Sequence, residues 1–128
     1  MVAELRVLLV EDDAMNVKFF QRAAARHERS VIDVANSGRE AIELARGGGY
    51  VAVFLDLHLP DLDGREVLAQ MRSDGSLDST PVIISTADSS LATQRELQDL
   101  GVDGFLIKPI DLGALDQLLE HLRPEPTD

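Results

Sequence analysis

Short apolar segments alternate with amphipathic segments along most of the chain. Strand-like segments rich in Val, Ile and Leu lie at residues 5–10, 31–35, 51–56, 81–86 and 104–107. Between them, apolar positions recur every three or four residues, which predicts helices at about 14–26, 36–45, 64–72, 88–100 and from 111 onward. Strands that alternate with helices in this way predict right-handed crossovers and one parallel sheet covered by helices on both faces.

The third apolar segment ends in a single carboxylate. Residues 51–55 are all apolar and run into Asp56, and Pro60 ends the extended stretch. A segment this apolar is typical of a strand buried on both faces of a parallel sheet. Burying a carboxylate at its end is costly unless water, a metal or a cation serves it. Asp56 is therefore either the reactive group of a site or the polar cap of a strand end.

The fourth predicted helix is poor in apolar residues. Leu91, Leu97 and Leu100 are its only large apolar side chains. Because helices in a domain of this kind are held by an apolar face, we expect this helix to pack less firmly than the others.

Composition and charge narrow the classes of function. The length of 128 residues suits one domain, placed at residues 1–123, with residues 124–128 as a C-terminal tail or the start of a linker. No apolar run approaches the roughly 18 residues of a membrane span, and the first residues do not resemble a signal peptide, so a cytoplasmic location is expected. There is no cysteine, which excludes disulfides and thiolate chemistry. The net charge of −11 argues against nucleic acids and anionic membranes as partners.

Charged and hydroxyl side chains stand where the predicted strands end. Glu11 and Asp12 follow the first strand, and Asp56 ends the third. Thr86 ends the fourth strand and Lys108 follows the fifth. In an open parallel sheet, ligands bind beyond the carboxyl ends of the strands, where the strand order reverses. We therefore predict that these side chains meet at one edge of the sheet and form a site.

The residue types indicate the chemistry of that site. Three clustered carboxylates repel one another and require a hard cation with oxygen ligands, which favours Mg²⁺. Asp56 would be a ligand that also acts as a nucleophile toward phosphorus. Phosphoryl transfer depends on neutralising and positioning the phosphoryl oxygens, and Mg²⁺, Lys108 and the Thr86 hydroxyl could each contact one oxygen.

Four motifs in this order resemble the receiver domain of response regulators in two-component signalling. They are residues 10–13, residues 55–60 with 63–64, residues 85–87 and residues 108–110, and the resemblance extends from residue 5 to about residue 122. It implies a doubly wound, flavodoxin-like (βα)5 fold of the α/β class. This fold is a three-layer sandwich whose parallel five-stranded sheet has the order 2-1-3-4-5.

The resemblance also implies a role for each site residue. Asp56 would be the phosphoacceptor, and Glu11 with Asp12 the acidic pair that binds Mg²⁺. The backbone carbonyl of His58 would be a further metal ligand. Asp13 could belong to the acidic pair, but we favour it as the N-cap of the first helix.

A second set of residues would report phosphorylation. Thr86 and Lys108 would sense the phosphoryl group, and Phe105 falls at the family's switch aromatic, which packs inward on phosphorylation. The fourth helix, fifth strand and fifth helix would then form the output surface.

The implied partners are a histidine kinase or phosphotransfer protein as donor, and a downstream protein target or an attached domain as receiver of the signal. The resemblance also allows a weak homodimer. No enzymatic activity is expected beyond self-catalysed phosphorylation and dephosphorylation. The chain could be a stand-alone regulator or a receiver cut from a longer protein such as a hybrid sensor kinase.

Three other functions compete with this interpretation. A phosphohydrolase of the haloacid dehalogenase type would need a second acid two residues after Asp56, where this chain has His58. An FMN-binding flavodoxin-like module would need a phosphate-binding loop after the first strand, where residues 11–13 are acidic and would repel phosphate. A receiver-like scaffold that is never phosphorylated would not need the reactive residues that are present.

Overall fold

Strands and helices alternate throughout the computed structural model, which describes residues 5–27, 30–77 and 80–122. The strands are β1 (Leu5–Val10), β2 (Ser30–Ala35), β3 (Ala52–Asp56), β4 (Val82–Thr86) and β5 (Gly104–Ile107). The helices are α1 (Ala14–Ala24), α2 (Gly38–Arg46), α3 (Gly64–Ser73), α4 (Leu91–Asp99) and α5 (Leu112–His121). Every predicted element is present, and the ends differ from those predicted by a few residues at most.

The five strands form one parallel sheet in the order β2-β1-β3-β4-β5. The predicted topology is therefore confirmed. The strand order reverses between β1 and β3, so the carboxyl ends of these two strands border the crevice in which such sheets bind ligands.

Two apolar clusters cover the two faces of the sheet. One packs the sheet against α1 and α5, and there the rings of Phe20 and Phe54 meet edge to face with centroids 5.2 Å apart. The other packs the sheet against α2, α3 and α4 and includes Val67 and Met71 of α3. Burying a side chain such as Phe54 contributes about 2 kcal/mol, so these clusters supply most of the driving force that holds the strand ends in place.

Each helix begins directly after a polar residue whose side chain accepts a hydrogen bond from the first turn. These N-cap residues are Asp13, Ser37, Asp63, Ser90 and Asp111. The Asp13 carboxylate accepts a bond of 2.8 Å from the backbone N–H of Met15, which confirms its predicted role as a cap.

Helix α4 has fewer buried residues than any other helix of the described structure. Leu97 is its only buried residue, which confirms the prediction of weak packing. Leu91 and Leu100 are 68% and 41% exposed, because Leu91 is the first residue of the helix and Leu100 follows its last.

Two arginines of α3 supply polar contacts to α4 and to the turn that follows it. Arg65 forms an ion pair with Glu96. Arg72 donates a hydrogen bond of 2.9 Å to the backbone carbonyl of Gly101, just beyond the helix. Because exposed ion pairs contribute little, these contacts position α4 without fixing it as firmly as a buried face would.

His27 has the sequence position of a helix end, where a histidine is more often solvated or complements the helix dipole than binds a metal. It is instead buried and pairs with Asp116 of α5 at 3.0 Å. The sequence pattern does not predict this pair, because the partner lies 89 residues away and only the packing of α1 on α5 brings the two together. The predicted tail at residues 124–128 lies outside the described residues.

No helix in the described ranges has the length and apolar character needed to cross a membrane.

A polar network joins β1, the edge strand β2 and the residue Tyr50, which precedes β3. Asp33 of β2 accepts hydrogen bonds from Arg6 at 2.6 Å and from the Tyr50 hydroxyl at 2.7 Å. The Arg6 guanidinium also lies 5.1 Å from the centroid of the Tyr50 ring. Burial, together with the bond to Asp33, raises the pKa of Tyr50 from 10.0 to about 12.

We expect Tyr50→Phe to lower the free energy of unfolding by about 1 kcal/mol at neutral pH, because it removes this hydrogen bond. The folded-state pKa lies above the unfolded value, so the contribution is complete below pH 10.0 and is lost as the pH rises toward about 12. Urea unfolding of both proteins at neutral pH and at about pH 11 tests this. A difference in stability that stayed constant between the two pH values would contradict it.

Candidate functional site

Three strand ends bring an ammonium group between two buried carboxylates. Glu11 follows β1, Asp56 ends β3 and Lys108 follows β5. The Lys108 Nζ lies 3.0 Å from Asp56 Oδ2 and 3.0 Å from Glu11 Oε1. Glu11 and Asp56 are only 0% and 3% exposed, so this ion-pair cluster lies at the edge of the core and not on the open surface.

The charges in this cluster depend on one another. Burial raises the pKa of Glu11, and the neighbouring Asp56 carboxylate raises it further, while Lys108 opposes both effects. Burial alone would lower the pKa of Lys108, but the hydrogen bonds and negative charges of Glu11 and Asp56 outweigh it and raise that pKa. Lys108 is therefore the cation that stabilises an otherwise repulsive pair of acids.

A third carboxylate completes a possible metal site. One oxygen from each of Glu11, Asp12 and Asp56 lies within 4.8 Å of the other two. Opposite ligands of an octahedral magnesium ion are about 4 Å apart, so a small adjustment would bring all three into reach. Glu11 Oε1 is buried and pairs with the Lys108 ammonium at 3.0 Å, so a cation bound here would share this oxygen with Lys108. These oxygens could bind a hard divalent cation.

Hydrogen bonds hold both ends of the loop from β3 to α3 close to the end of β3. The backbone N–H of His58 donates a hydrogen bond of 3.0 Å to Asp56 Oδ1, and the N–H of Gly64 donates one of 2.8 Å to the carbonyl of Leu57. A side chain at position 64 would place its Cβ 2.6 Å from the carbonyl oxygen of Asp56, so only glycine fits there. The carbonyl of His58 stays a predicted metal ligand.

Thr86 lies at the same edge, and its hydroxyl is engaged with the loop that leads to α4. It is buried, and its Oγ1 accepts a hydrogen bond of 3.0 Å from the N–H of Asp88. The Asp88 carboxylate in turn accepts bonds from Ser90 and Thr93 at the start of α4. The bond from Thr93 is the largest of the effects that lower the pKa of Asp88 to about 2. Reorienting the Thr86 hydroxyl would therefore disturb the first turn of α4.

Phe105 is half-buried on the edge strand β5 and packs against the core. With Leu118 and His121 of α5 it lines a shallow groove. It therefore has open space on one side, as a side chain that changes position would need.

Sequence reasoning missed one buried polar group at this edge. Ser85 pairs in register with Asp56 across β3 and β4, so both side chains project from the same face of the sheet. Its hydroxyl is buried and has no hydrogen-bond partner among the described residues. The signal in the sequence was a hydroxyl in the otherwise apolar run of β4, directly before Thr86.

Comparison with known proteins agrees with this arrangement. A family model described as the response regulator receiver domain matches residues 7–120. The chain belongs to this family. This is the family that the four sequence motifs resemble. In the present chain the acidic cluster of Glu11, Asp12 and Asp56 lies at the edge of the sheet described above.

Individual relatives give the same assignment. The chain is 37% identical over 119 residues to the response regulator MprA of Mycolicibacterium vanbaalenii, a match that covers 93% of this chain and 49% of the relative. The receiver domain of the Francisella response regulator 1452 has a TM-score of 0.83 at 28% identity and covers 93% of this chain and 96% of that one.

A further similar structure is that of a receiver domain in complex with another protein. It is the co-crystal structure of the Saccharomyces cerevisiae histidine phosphotransfer signaling protein Ypd1 with the receiver domain of its response regulator Ssk1. The match has a TM-score of 0.83 at 26% identity, with 96% of this chain and 91% of that chain covered. The present chain spans about half the length of the curated relatives it matches, from 46% to 50% of each.

Proposed function

We propose that this receiver domain accepts a phosphoryl group on Asp56 and uses it to switch the surface formed by α4, β5 and α5. One observation carries the proposal: the Lys108 ammonium lies 3.0 Å from the buried Asp56 carboxylate, at a strand end that borders the crevice of the sheet. A carboxylate held there has the geometry of a nucleophile with a cation beside it to neutralise transferred charge.

The transfer forms a bond between a carboxylate oxygen of Asp56 and phosphorus and breaks the bond from phosphorus to the donor's leaving group. Lys108 would remain beside the phosphoryl oxygens and offset their negative charge. Thr86 would exchange its present hydrogen bond from Asp88 for one to the phosphoryl group. That exchange would reach α4 through Asp88, and Phe105 would change position with it.

A divalent cation belongs to the proposed site. Glu11, Asp12, Asp56 and the backbone carbonyl of His58 would hold it, and their oxygen-only ligand set suits Mg²⁺. When bound, Mg²⁺ supplies Lewis-acid charge neutralisation at the phosphoryl oxygens. The pKa of Glu11 would fall once a cation replaces the neighbouring repulsion, so its ionised form would be favoured.

The proposed donors are a histidine kinase or a phosphotransfer protein, as the solved Ypd1–Ssk1 complex supports by likeness. The recipient of the signal would be a downstream protein or a domain attached to this one, since the matched relatives are about twice as long. We propose a signalling domain at residues 1–123 and not an enzyme that turns over external substrates. A weak homodimer and a cytoplasmic location stay predictions from the sequence.

The first test is the intact mass of the native chain after incubation with acetyl phosphate. We expect a gain of one phosphoryl group in the presence of Mg²⁺ and none in EDTA, because three carboxylates would otherwise repel the donor. An unchanged mass both with acetyl phosphate and with phosphoramidate would contradict the proposal and favour a scaffold. Multiple turnover of these donors without a lasting mass gain would instead favour a phosphohydrolase.

A further inference from the structure

The start of helix α2 takes its hydrogen-bond acceptors from two different parts of the chain. Ser37, its own N-cap, accepts bonds from the backbone N–H groups of Glu40 and Ala41. The first two N–H groups bond instead to Asp61, a residue of the loop that leads from β3 to α3. These groups are the N–H of Gly38, 2.7 Å from Asp61 Oδ1, and the N–H of Arg39, 3.0 Å from Asp61 Oδ2. The N–H groups of Gly38, Arg39 and Glu40, which have no acceptor within the helix, are thereby satisfied.

The loop and the helix are also in close steric contact. A Cβ added at Gly38 would lie 3.0 Å from the Cβ of Leu62 and 2.7 Å from a methyl group of Val67. The absence of a side chain at Gly38 therefore lets α2 approach the loop closely enough for both oxygens of Asp61 to reach its backbone. Asp61 is the charged residue that ties the two together.

The same loop carries the predicted metal ligand His58. Its other attachments lie next to the site: the His58 N–H on Asp56 Oδ1, and the bridge between His58 and Asp63 that closes the loop. Asp61 joins the middle of the loop to the start of α2, which packs against the same face of the sheet as α3. Leu59 and Leu62 also pack this segment against the apolar core, but the hydrogen bonds that join it to the α2 backbone come from Asp61.

We propose that Asp61 is a positioning residue for the metal site, which anchors the β3–α3 loop to α2 and so fixes the place of the His58 carbonyl. The inference rests on the proposed function, because it requires that a divalent cation binds beside Asp56. It assigns a task to an acid that lies between Pro60 and Gly64, in a stretch whose composition is typical of a turn. Groups that orient a metal ligand from one step further out commonly affect affinity nearly as much as the ligands do.

The test measures the Mg²⁺ dissociation constant by calorimetry for the native chain, Asp61→Ala and Asp61→Asn. We expect Asp61→Ala to bind Mg²⁺ about ten-fold more weakly. Asp61→Asn removes the same charge but keeps one acceptor oxygen for Gly38, so its affinity should fall between those of the native chain and the alanine variant. If the charge alone mattered, the two variants would bind equally weakly, which would overturn the proposal.

Ser37→Ala is the matched control. It removes an acceptor from the same helix start and should lower the thermal unfolding midpoint in the same way, but it leaves the loop anchored. We expect its Mg²⁺ affinity to equal that of the native chain. Weakening equal to that of Asp61→Ala would show that the stability of α2 was responsible and would overturn the inference.

The outcomes also separate this inference from the proposed function. Native affinity in Asp61→Ala would refute the positioning role and leave the phosphoacceptor site standing. Failure of the native chain itself to bind Mg²⁺ would overturn both.

Discussion

Asp56→Asn is expected to gain no phosphoryl group from acetyl phosphate under conditions in which the native chain gains one. The amide is nearly the same size as the carboxylate and can still accept a bond from the His58 N–H, but it is not a nucleophile toward phosphorus. It also removes one of the three metal ligands. Intact mass after incubation with Mg²⁺ and acetyl phosphate measures the difference, and we expect the loss to be complete.

The matched control for this substitution is Asp13→Asn. Asp13 lies two residues from Glu11, is exposed and caps α1, and asparagine caps a helix about as well as aspartate does. The control should therefore gain one phosphoryl group like the native chain. A gain by Asp56→Asn equal to the native gain would show that another residue is the acceptor and would refute the site assignment.

The sequence predicted the site because its members lie where strands end. The alternation of strands and helices determines that the sheet is parallel, and a parallel sheet brings its carboxyl ends to one edge. Glu11, Asp56 and Lys108 could thus be grouped without knowing any distance. The burial of Glu11 and Asp56 follows from the same fact, because β1 and β3 are interior strands. Lys108 follows the edge strand β5, and its side chain reaches past β4 to Asp56.

Contacts between side chains of distant segments could not be predicted in this way. Asp61 has the composition of a turn residue, and its bonds to α2 depend on how closely that helix approaches the loop. His27 has the sequence position of a solvated helix end, yet the packing of α1 on α5 buries it beside Asp116. The direction of the Thr86 hydroxyl is likewise a rotamer that depends on Asp88. Hydrophobic periodicity specifies faces and not the partners of individual polar atoms.

The packing of α4 links the predicted site to the predicted output surface. Only Leu97 anchors this helix in the core, and its first turn is tied by Asp88 to the Thr86 hydroxyl. A helix with so small a buried face can have two positions that differ by little free energy, so exchanging one or two hydrogen bonds is enough to shift their populations. Firm packing of α4 would have prevented such a response.

Lys108 is the only cation that contacts Glu11 and Asp56 in the described structure, and this makes its removal informative. With the lysine absent, two buried carboxylates would face each other with no compensating charge. Breaking a buried pair by removing one partner commonly costs about 3–5 kcal/mol. Because the Lys108 side chain is 21% exposed, water can relieve part of that cost.

We therefore expect Lys108→Met to lower the free energy of unfolding by about 3 kcal/mol in EDTA, and by much less when Mg²⁺ is present to supply the missing charge. The ammonium group repels a divalent ion a few Å away by several kcal/mol at an effective dielectric constant near 20, so the variant should also bind Mg²⁺ at least about ten-fold more tightly. Urea unfolding with and without Mg²⁺ measures the first effect, and calorimetry measures the second.

Lys18→Met, on the exposed face of α1, is the control and should change stability by no more than about 0.5 kcal/mol. Equal destabilisation of Lys108→Met with and without Mg²⁺ would show that the lysine acts through packing and not through its charge.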